Sequence, residues 1–284
     1  MTNHVLYTKN TESHIARLTF NRPEKMNALT MDMYDAMVEY LDDAAEDDNI
    51  KVVILNGTGG NFSAGQDLNE VYEWYVTPGE TRRPSQRRRL TVDRKTFSQY
   101  HKLLFHPKVT IAQADGVALG GGLEFLMSCD LTVVSSDLRI GMPATRFLGP
   151  VLGNIQLFFH RLGPVLSKDL LLTGRIASVD SLDASLFTQV VAPGELEAAT
   201  NKLAATVGRM PADGIVIAKE AYRLVEESTT LGLSEVTSYM MHAYGTNLRF
   251  EPDEFNFVKK RAEIGLSEAF DARDEFFDAD ATAQ

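Results

Sequence analysis

Three consecutive glycines, Gly120–Gly121–Gly122, constrain this chain more than any other feature. They sit in the segment Gly116–Val117–Ala118–Leu119–Gly120–Gly121–Gly122–Leu123–Glu124–Phe125. A glycine inside a regular element costs roughly 1 kcal/mol of backbone entropy. A run of three is tolerable only where the backbone needs unusual angles or another group approaches closely. Here the run opens an apolar helix expected from Leu123 to Cys129. The free N–H groups and the dipole at such a helix start favour a developing negative charge. Glu124 follows at once, among Leu123, Phe125, Leu126 and Met127. A carboxylate there is desolvated, which raises its pKa toward a useful acid–base range. The plain alternative is a structural glycine turn with Glu124 as a first-turn helix acid.

A second glycine-bearing bend, Asn61–Phe62–Ser63–Ala64–Gly65–Gln66–Asp67–Leu68, follows the strand expected over Lys51–Asn56. A small residue and a glycine after a strand let the backbone approach a ligand with outward-pointing amides. An ordinary strand-to-helix turn is the alternative. Taken together, the two bends predict a pair of donors, the N–H of Ala64 and the N–H of Gly121. Two preorganised donors on one oxygen stabilise an enolate or oxyanion by about 3 kcal/mol each.

Around these bends the N-terminal part alternates strand and helix signals. Ile15–Phe20 reads as a strand stopped by Asn21–Arg22–Pro23. Thr30 caps a helix over Met31–Glu46, with apolar Met33, Met37, Tyr40, Leu41 and Ala44 at helical spacing. Strand, helix and strand within about 45 residues form a βαβ-type pattern. A further helix is expected from near Leu90 to His106, then strands over Lys108–Gln113 and Leu131–Val134. Beyond about residue 155 the spacing turns helical, over Gln156–Leu162, Ser167–Leu172, Leu196–Met210, Gly214–Glu226 and Leu233–Tyr244. The fold class is therefore α/β with a mostly helical C-terminal part.

Composition excludes several classes of function. The net charge of −11 opposes general nucleic-acid binding, whose affinity comes from lysine and arginine on phosphates. The exception is a basic stretch of Arg82, Arg83, Arg87, Arg88, Arg89, Arg94 and Lys95. It reads either as a solvated loop or as an attractor of phosphates. The single Cys129 rules out an internal disulfide, and His101 and His106 lack partners at metal-ligand spacing. No uncharged apolar run reaches the length of a membrane span, and the start MTNHVLYTKN has no secretory pattern, so a cytoplasmic protein is expected.

The segments FSAGQDL and GVALGGGLEFLMSCDL resemble the crotonase (enoyl-CoA hydratase/isomerase) superfamily. Leu18–Leu29, Val52–Leu55, Leu172–Ile176 and Phe255–Arg261 extend the resemblance along nearly the whole chain. It implies a crotonase-like ββα spiral acyl-CoA-binding core over 1–200 and a helical trimerisation region over 201–284, assembled as a homotrimer or hexamer. The implied activity is that of an acyl-CoA lyase or hydratase, with no metal or redox cofactor and coenzyme A present only as part of the substrate. The amides of Ala64 and Gly121 would hold the thioester carbonyl, and Glu124 would transfer a proton. Lys25, Ala28, Ala64, Gln66, Asp67, Leu68, Gly120 and Gly121 would line the CoA site. Lys260, with Lys259 and Arg261, would reach a neighbouring subunit's adenine-phosphate pocket, or else form a solvated helix face.

One departure bears on mechanism. The family's hydratases carry a second glutamate about twenty residues after the first. Here that segment reads Gly141–Met142–Pro143–Ala144–Thr145–Arg146, and Ala144 takes the glutamate's place. No Asp or Glu occurs between Asp137 and Asp169. Isomerisation, carbon–carbon hydrolysis and non-catalytic CoA-ester binding therefore stand beside hydration. Replacement groups are sought in Glu70, Tyr72, Glu73, Trp74 and Tyr75, and Arg146 reads as an acyl-group anchor or a structural ion pair.

Overall fold

The computed structural model describes residues 4–76, 84–149, 153–229, 234–245 and 250–278. In chain order its elements are β1 (Val5–Asn10), β2 (Ile15–Phe20), α1 (Met31–Glu46), β3 (Val52–Gly57), α2 (Val71–Tyr75), α3 (Gln86–Leu104), β4 (Val109–Ala114), β5 (Val117–Leu119), α4 (Gly121–Ser128), β6 (Leu131–Ser135) and β7 (Arg139–Gly141). Then follow α5 (Thr145–Leu148), α6 (Ile155–Thr173), β8 (Ile176–Ser178), β9 (Gln189–Val191), α7 (Leu196–Gly208), α8 (Ala212–Ser228), α9 (Ser234–Gly245), α10 (Phe257–Ile264) and α11 (Leu266–Phe277).

The main sheet has six strands in the order β1-β2-β3-β4-β6-β9. β1 and β2 are antiparallel, and all later pairs are parallel. A smaller sheet, β5-β7-β8, takes the segments between the main strands. This is the expected α/β arrangement of strand pairs and helices. β3 is buried on both faces, which is why it reads as an unbroken apolar run. Val53 and Leu55 join the large core beneath α1, α3, α4 and α6, while Val52 and Ile54 pack with Leu196 and Ala204 of α7.

The α1 helix begins where its cap places it, with Thr30 Oγ1 accepting the Met33 N–H at 3.3 Å. α3 starts earlier than expected, at a Ser85 cap whose hydroxyl accepts the Arg88 N–H at 3.2 Å. The two helices expected at 156–162 and 167–172 are one element, α6, bent at Gly163 beside Pro164. The boundary expected at 200/201 falls inside α7, which covers the sheet and so belongs to the core layer.

The basic stretch is largely spent on packing. Arg88 donates to Trp74 O, Arg89 and Arg94 lie over the rings of Tyr75 and Tyr239, and Lys95 pairs with Asp35. Arg82 and Arg83 lie outside the described residues. Arg146 takes its structural role, donating to Thr173 O at 2.9 Å beside Asp274. Among the described residues no helix is long and apolar enough to cross a membrane.

The glycine triplet is required by contact. A Cβ on Gly122 would lie 2.4 Å from Ser63 O, a backbone atom that has no room to retreat. Gly122→Ala is expected to destabilise the protein by about 1–3 kcal/mol through overpacking. A lower midpoint in chemical denaturation checks this.

Candidate active site

The two glycine bends meet as a short ribbon. Ser63 N donates to Val117 O, and Leu119 N donates to Ser63 O, both at 2.9 Å. On the ribbon's other side Leu29 N donates to Gly65 O at 2.8 Å, and Asp67 N donates to Leu29 O at 2.9 Å. Residues 63–67 therefore lie between segment 26–29 and segment 117–121. A Cβ on Gly65 would stand 3.3 Å from Gly121 N, which shows how closely the bends approach. Segment 26–29 is itself held in an unusual shape. Met26 and Asn27 both have positive φ, 48° and 54°, which such residues rarely adopt. The buried Asn27 side chain fixes that shape, donating to Thr58 O and Asn61 O while accepting from Arg22 N.

This arrangement corrects the expected donor pair. The Ala64 N–H turns to Met26 O at 2.9 Å and is consumed inside the fold. The free amide of the ribbon is that of Gln66, which has no partner among the described residues. In its parallel bridge with Leu29, the N–H of Gln66 itself points away from Leu29, toward the side of the second bend. The Gly121 N–H lies at the start of α4 and donates to the Gln66 side-chain oxygen at 3.3 Å. Gly120 makes that start possible, since its φ of 53° and ψ of −124° suit glycine alone.

Glu124 is buried, at 2% exposure, in the first turn of α4. Its Oε1 accepts the Asn154 N–H at 2.7 Å, and a Cβ on Gly153 would lie 3.2 Å from the same oxygen. Asn154 is fixed in turn as the cap of α6. Burial pushes the Glu124 carboxyl up to about 8, against the opposing pull of the Asn154 N–H and the Tyr100 hydroxyl.

Two tyrosines that the sequence reading passed over complete the site. The hydroxyls of Tyr34 on α1 and Tyr100 on α3 are 2.8 Å apart, and both side chains are fully buried. Gln66 Nε2 donates to each, at 3.2 Å and 3.3 Å. Burial raises the pKa of both phenols, and the Glu124 carboxylate raises that of Tyr100 further. A tyrosine inside an apolar helix stripe has a hydroxyl that needs a partner, and that was the available signal.

The remaining expected residues divide between exposed or half-buried positions and positions committed to the fold. The Asp67 carboxylate is committed to Arg22 at 3.0 Å and to the Asn69 N–H at 2.9 Å. The Leu68 carbonyl accepts from Arg261 at 2.7 Å, so that arginine serves its own chain, with its guanidinium over Tyr72. Lys25 is exposed, Ala28 and Lys260 are half-buried, and the Ala28 carbonyl accepts from Arg22. Ala144 is half-buried and packs with apolar neighbours at the edge of the core, so no acid stands in its position. Of the proposed replacements, Tyr75 donates to Asp93 at 2.6 Å, and Trp74 packs edge-on against Tyr34. No cluster of three metal-ligating side chains occurs among the described residues.

Fold and site thus define a protein that presents backbone amides and a buried carboxyl at the meeting of two glycine bends. A family model described as enoyl-CoA hydratase/isomerase matches residues 10–263, and the chain belongs to that family, within the crotonase superfamily. It is similar to a short-chain-enoyl-CoA hydratase of Clostridium acetobutylicum, at 35% identity over 50% of each chain. It is also similar to a mitochondrial Delta(3,5)-Delta(2,4)-dienoyl-CoA isomerase of Dictyostelium discoideum, at 27% identity over 49% of this chain and 47% of that one. These alignments span about half the length of the curated relatives. A crystal structure of an enoyl-CoA hydratase/isomerase from Xanthobacter autotrophicus Py2 superposes with a TM-score of 0.84 at 26% identity, covering 98% of this chain and 100% of that one.

The raised Glu124 pKa has a consequence for stability. The folded protein holds this proton more tightly than the unfolded chain does, where the ordinary value is 4.5. The associated stability is fully present below about 4.5 and is lost as pH rises toward 8. Glu124→Gln removes that loss. Its melting temperature is expected to exceed the wild type's at pH 9, with the difference shrinking at pH 5, as measured by thermal unfolding at both pH values.

Proposed function

We propose that the protein binds an acyl-CoA thioester and adds water to, or removes it across, the α,β bond, with Glu124 moving the proton. One observation carries this reading. The Gly121 N–H already holds a carbonyl-type oxygen, that of Gln66, beside the buried Glu124. A thioester oxygen in that place would accept from Gly121 N and Gln66 N, and negative charge passing onto it would be stabilised by both. Glu124, with its pKa near 8, is poised to act as base when ionised and as acid when protonated.

The CoA portion would lead outward past Lys25 and Ala28, over the backbone of Gln66, Asp67 and Leu68, toward Lys260. No separate cofactor is needed for this chemistry. Self-association as a trimer or hexamer would use the apolar side chains exposed on α8 and α9, among them Ile217, Leu224, Val225, Met240 and Tyr244. A cytoplasmic location is part of the same reading.

A second reaction within this reading is double-bond isomerisation, which needs one group to move one proton. The apolar surroundings of Ala144 favour it. A panel of 2-enoyl-CoA and 3-enoyl-CoA thioesters separates the two by whether the product is a hydroxyacyl-CoA or a shifted alkene. Glu124→Gln is expected to lower turnover by about 100-fold or more, with thioester affinity little changed. In the wild type, turnover in the direction that uses Glu124 as a base is expected to rise as pH passes through about 8. A rate unaffected by the substitution would remove Glu124 from the reaction, and binding without any turnover would support a non-catalytic CoA-ester protein.

A further inference from the structure

The position that Ala144 occupies leaves the reaction one proton carrier short, and the geometry points to Tyr100 as the group that supplies it. This rests on the reading of the site as an acyl-CoA site and goes beyond it by assigning a second reacting side chain. The assignment begins with the Gln66 carboxamide. That group is planar, and one carbon carries both its oxygen and its nitrogen. The oxygen lies on the Gly121 N–H at 3.3 Å, and the nitrogen lies on the hydroxyls of Tyr34 and Tyr100 at 3.2 Å and 3.3 Å. The carbonyl carbon of a thioester also carries an oxygen and two further atoms, sulfur and the α carbon. With the thioester oxygen on the Gly121 N–H, sulfur leads out toward the exposed Lys25 rim. The α carbon then falls inward, where the Gln66 nitrogen stands, against the Tyr100 hydroxyl.

Packing fixes the phenol beside Gly121. A Cβ on Gly121 would lie 2.6 Å from the Tyr100 hydroxyl oxygen, so the phenol sits directly beside the amide that receives the charge. The ring is held edge-on by Phe97 and Phe125, at centroid distances of 5.9 Å and 4.8 Å. The hydroxyl is hydrogen-bonded to Tyr34 at 2.8 Å and accepts from Gln66 Nε2 at 3.3 Å, and the buried Glu124 carboxyl is near enough to raise its pKa. The Tyr34 hydroxyl is equally near the Gln66 nitrogen, but only that of Tyr100 lies against Gly121, so Tyr100 is assigned the transfer and Tyr34 a supporting part.

The resulting cycle closes. Ionised Glu124 takes a proton from water as the water oxygen bonds to the β carbon. The π electron pair of the alkene moves toward the carbonyl and forms an enolate, whose oxygen rests on the amides. The α carbon then takes the Tyr100 hydroxyl proton, while the Glu124 carboxylic acid passes its proton to the Tyr100 oxygen. Both side chains return to their starting states, and one water has been added across the double bond. Glu124 thus serves both ends of the reaction through Tyr100, and no second carboxylate is required.

Removal of one oxygen atom tests the assignment. Tyr100→Phe keeps the ring and its packing. With crotonyl-CoA as probe, kcat is expected to fall about 100-fold or more while KM changes less than about threefold. Tyr34→Phe is expected to lower kcat by about 5- to 10-fold, again with KM near the wild-type value. Thermal unfolding and acetyl-CoA binding of both variants should match the wild type closely. A Tyr100→Phe enzyme that turns over at the wild-type rate overturns the assignment alone. So does a variant whose lost turnover is matched by an equal loss of acetyl-CoA binding, since that marks a merely structural role. A wild-type protein inert toward crotonyl-CoA and toward a panel of longer and branched enoyl-CoA thioesters overturns the reading of the site on which the assignment rests.

Discussion

The contact on which the rest depends is between two stretches of main chain. Ser63 pairs with Val117 and Leu119 through its own N–H and C=O, and the missing side chain of Gly122 lets its carbonyl come close. That contact brings the end of β3 to the start of α4. It places Gln66 next to Gly121 and sets Glu124 one helical turn behind. A larger residue at position 122 would separate the bends, and the amides would face different directions. The left-handed pair Met26–Asn27 and the Asn27 side chain brace the ribbon from the other side. Backbone strain is thus held beside the ribbon that carries the Gln66 amide.

Burial does opposing things to fold and chemistry here. It makes the Glu124 carboxyl reluctant to ionise, which weakens the folded state at alkaline pH, and it gives the same group a pKa suited to proton transfer. Asn154 moderates the effect by donating its N–H, and it can do so because it caps α6 at that point. The carboxyl is therefore tuned by a helix start thirty residues away in the chain. The two phenols are held neutral by the same desolvation and keep their protons until a strongly basic partner arrives.

Much of this was legible in the residues. The alternation around Ile15–Phe20, the Thr30 cap and the apolar run of β3 led directly to the strand–helix–strand unit that is present. The glycine run pointed to the helix start and to a desolvated Glu124. Ala64 drops out of the expected donor pair, because spacing shows that a bend exposes amides but not which one. Only the partner strand decides that, and segment 26–29 takes the Ala64 N–H. The tyrosines escaped notice for a similar reason. Tyr34 and Tyr100 are 66 residues apart and sit in helices that read as ordinary core elements. Their meeting is a product of helix packing, and no local pattern encodes it. The short strands of the smaller sheet were also missed, since three-residue strands carry little periodicity, and so were β1 and α11.

The Gln66 side chain gives the resting site an occupant of its own. A ligand reaching the Gly121 amide takes over a hydrogen bond that already exists, and it must dislodge a competitor tethered to the same chain. Under the proposed function, dissociation constants for thioesters at this pocket would measure an exchange between an internal and an external carbonyl. Molecules lacking that oxygen, free coenzyme A among them, would have nothing to offer in return, so discrimination would begin at entry, before any bond is made or broken.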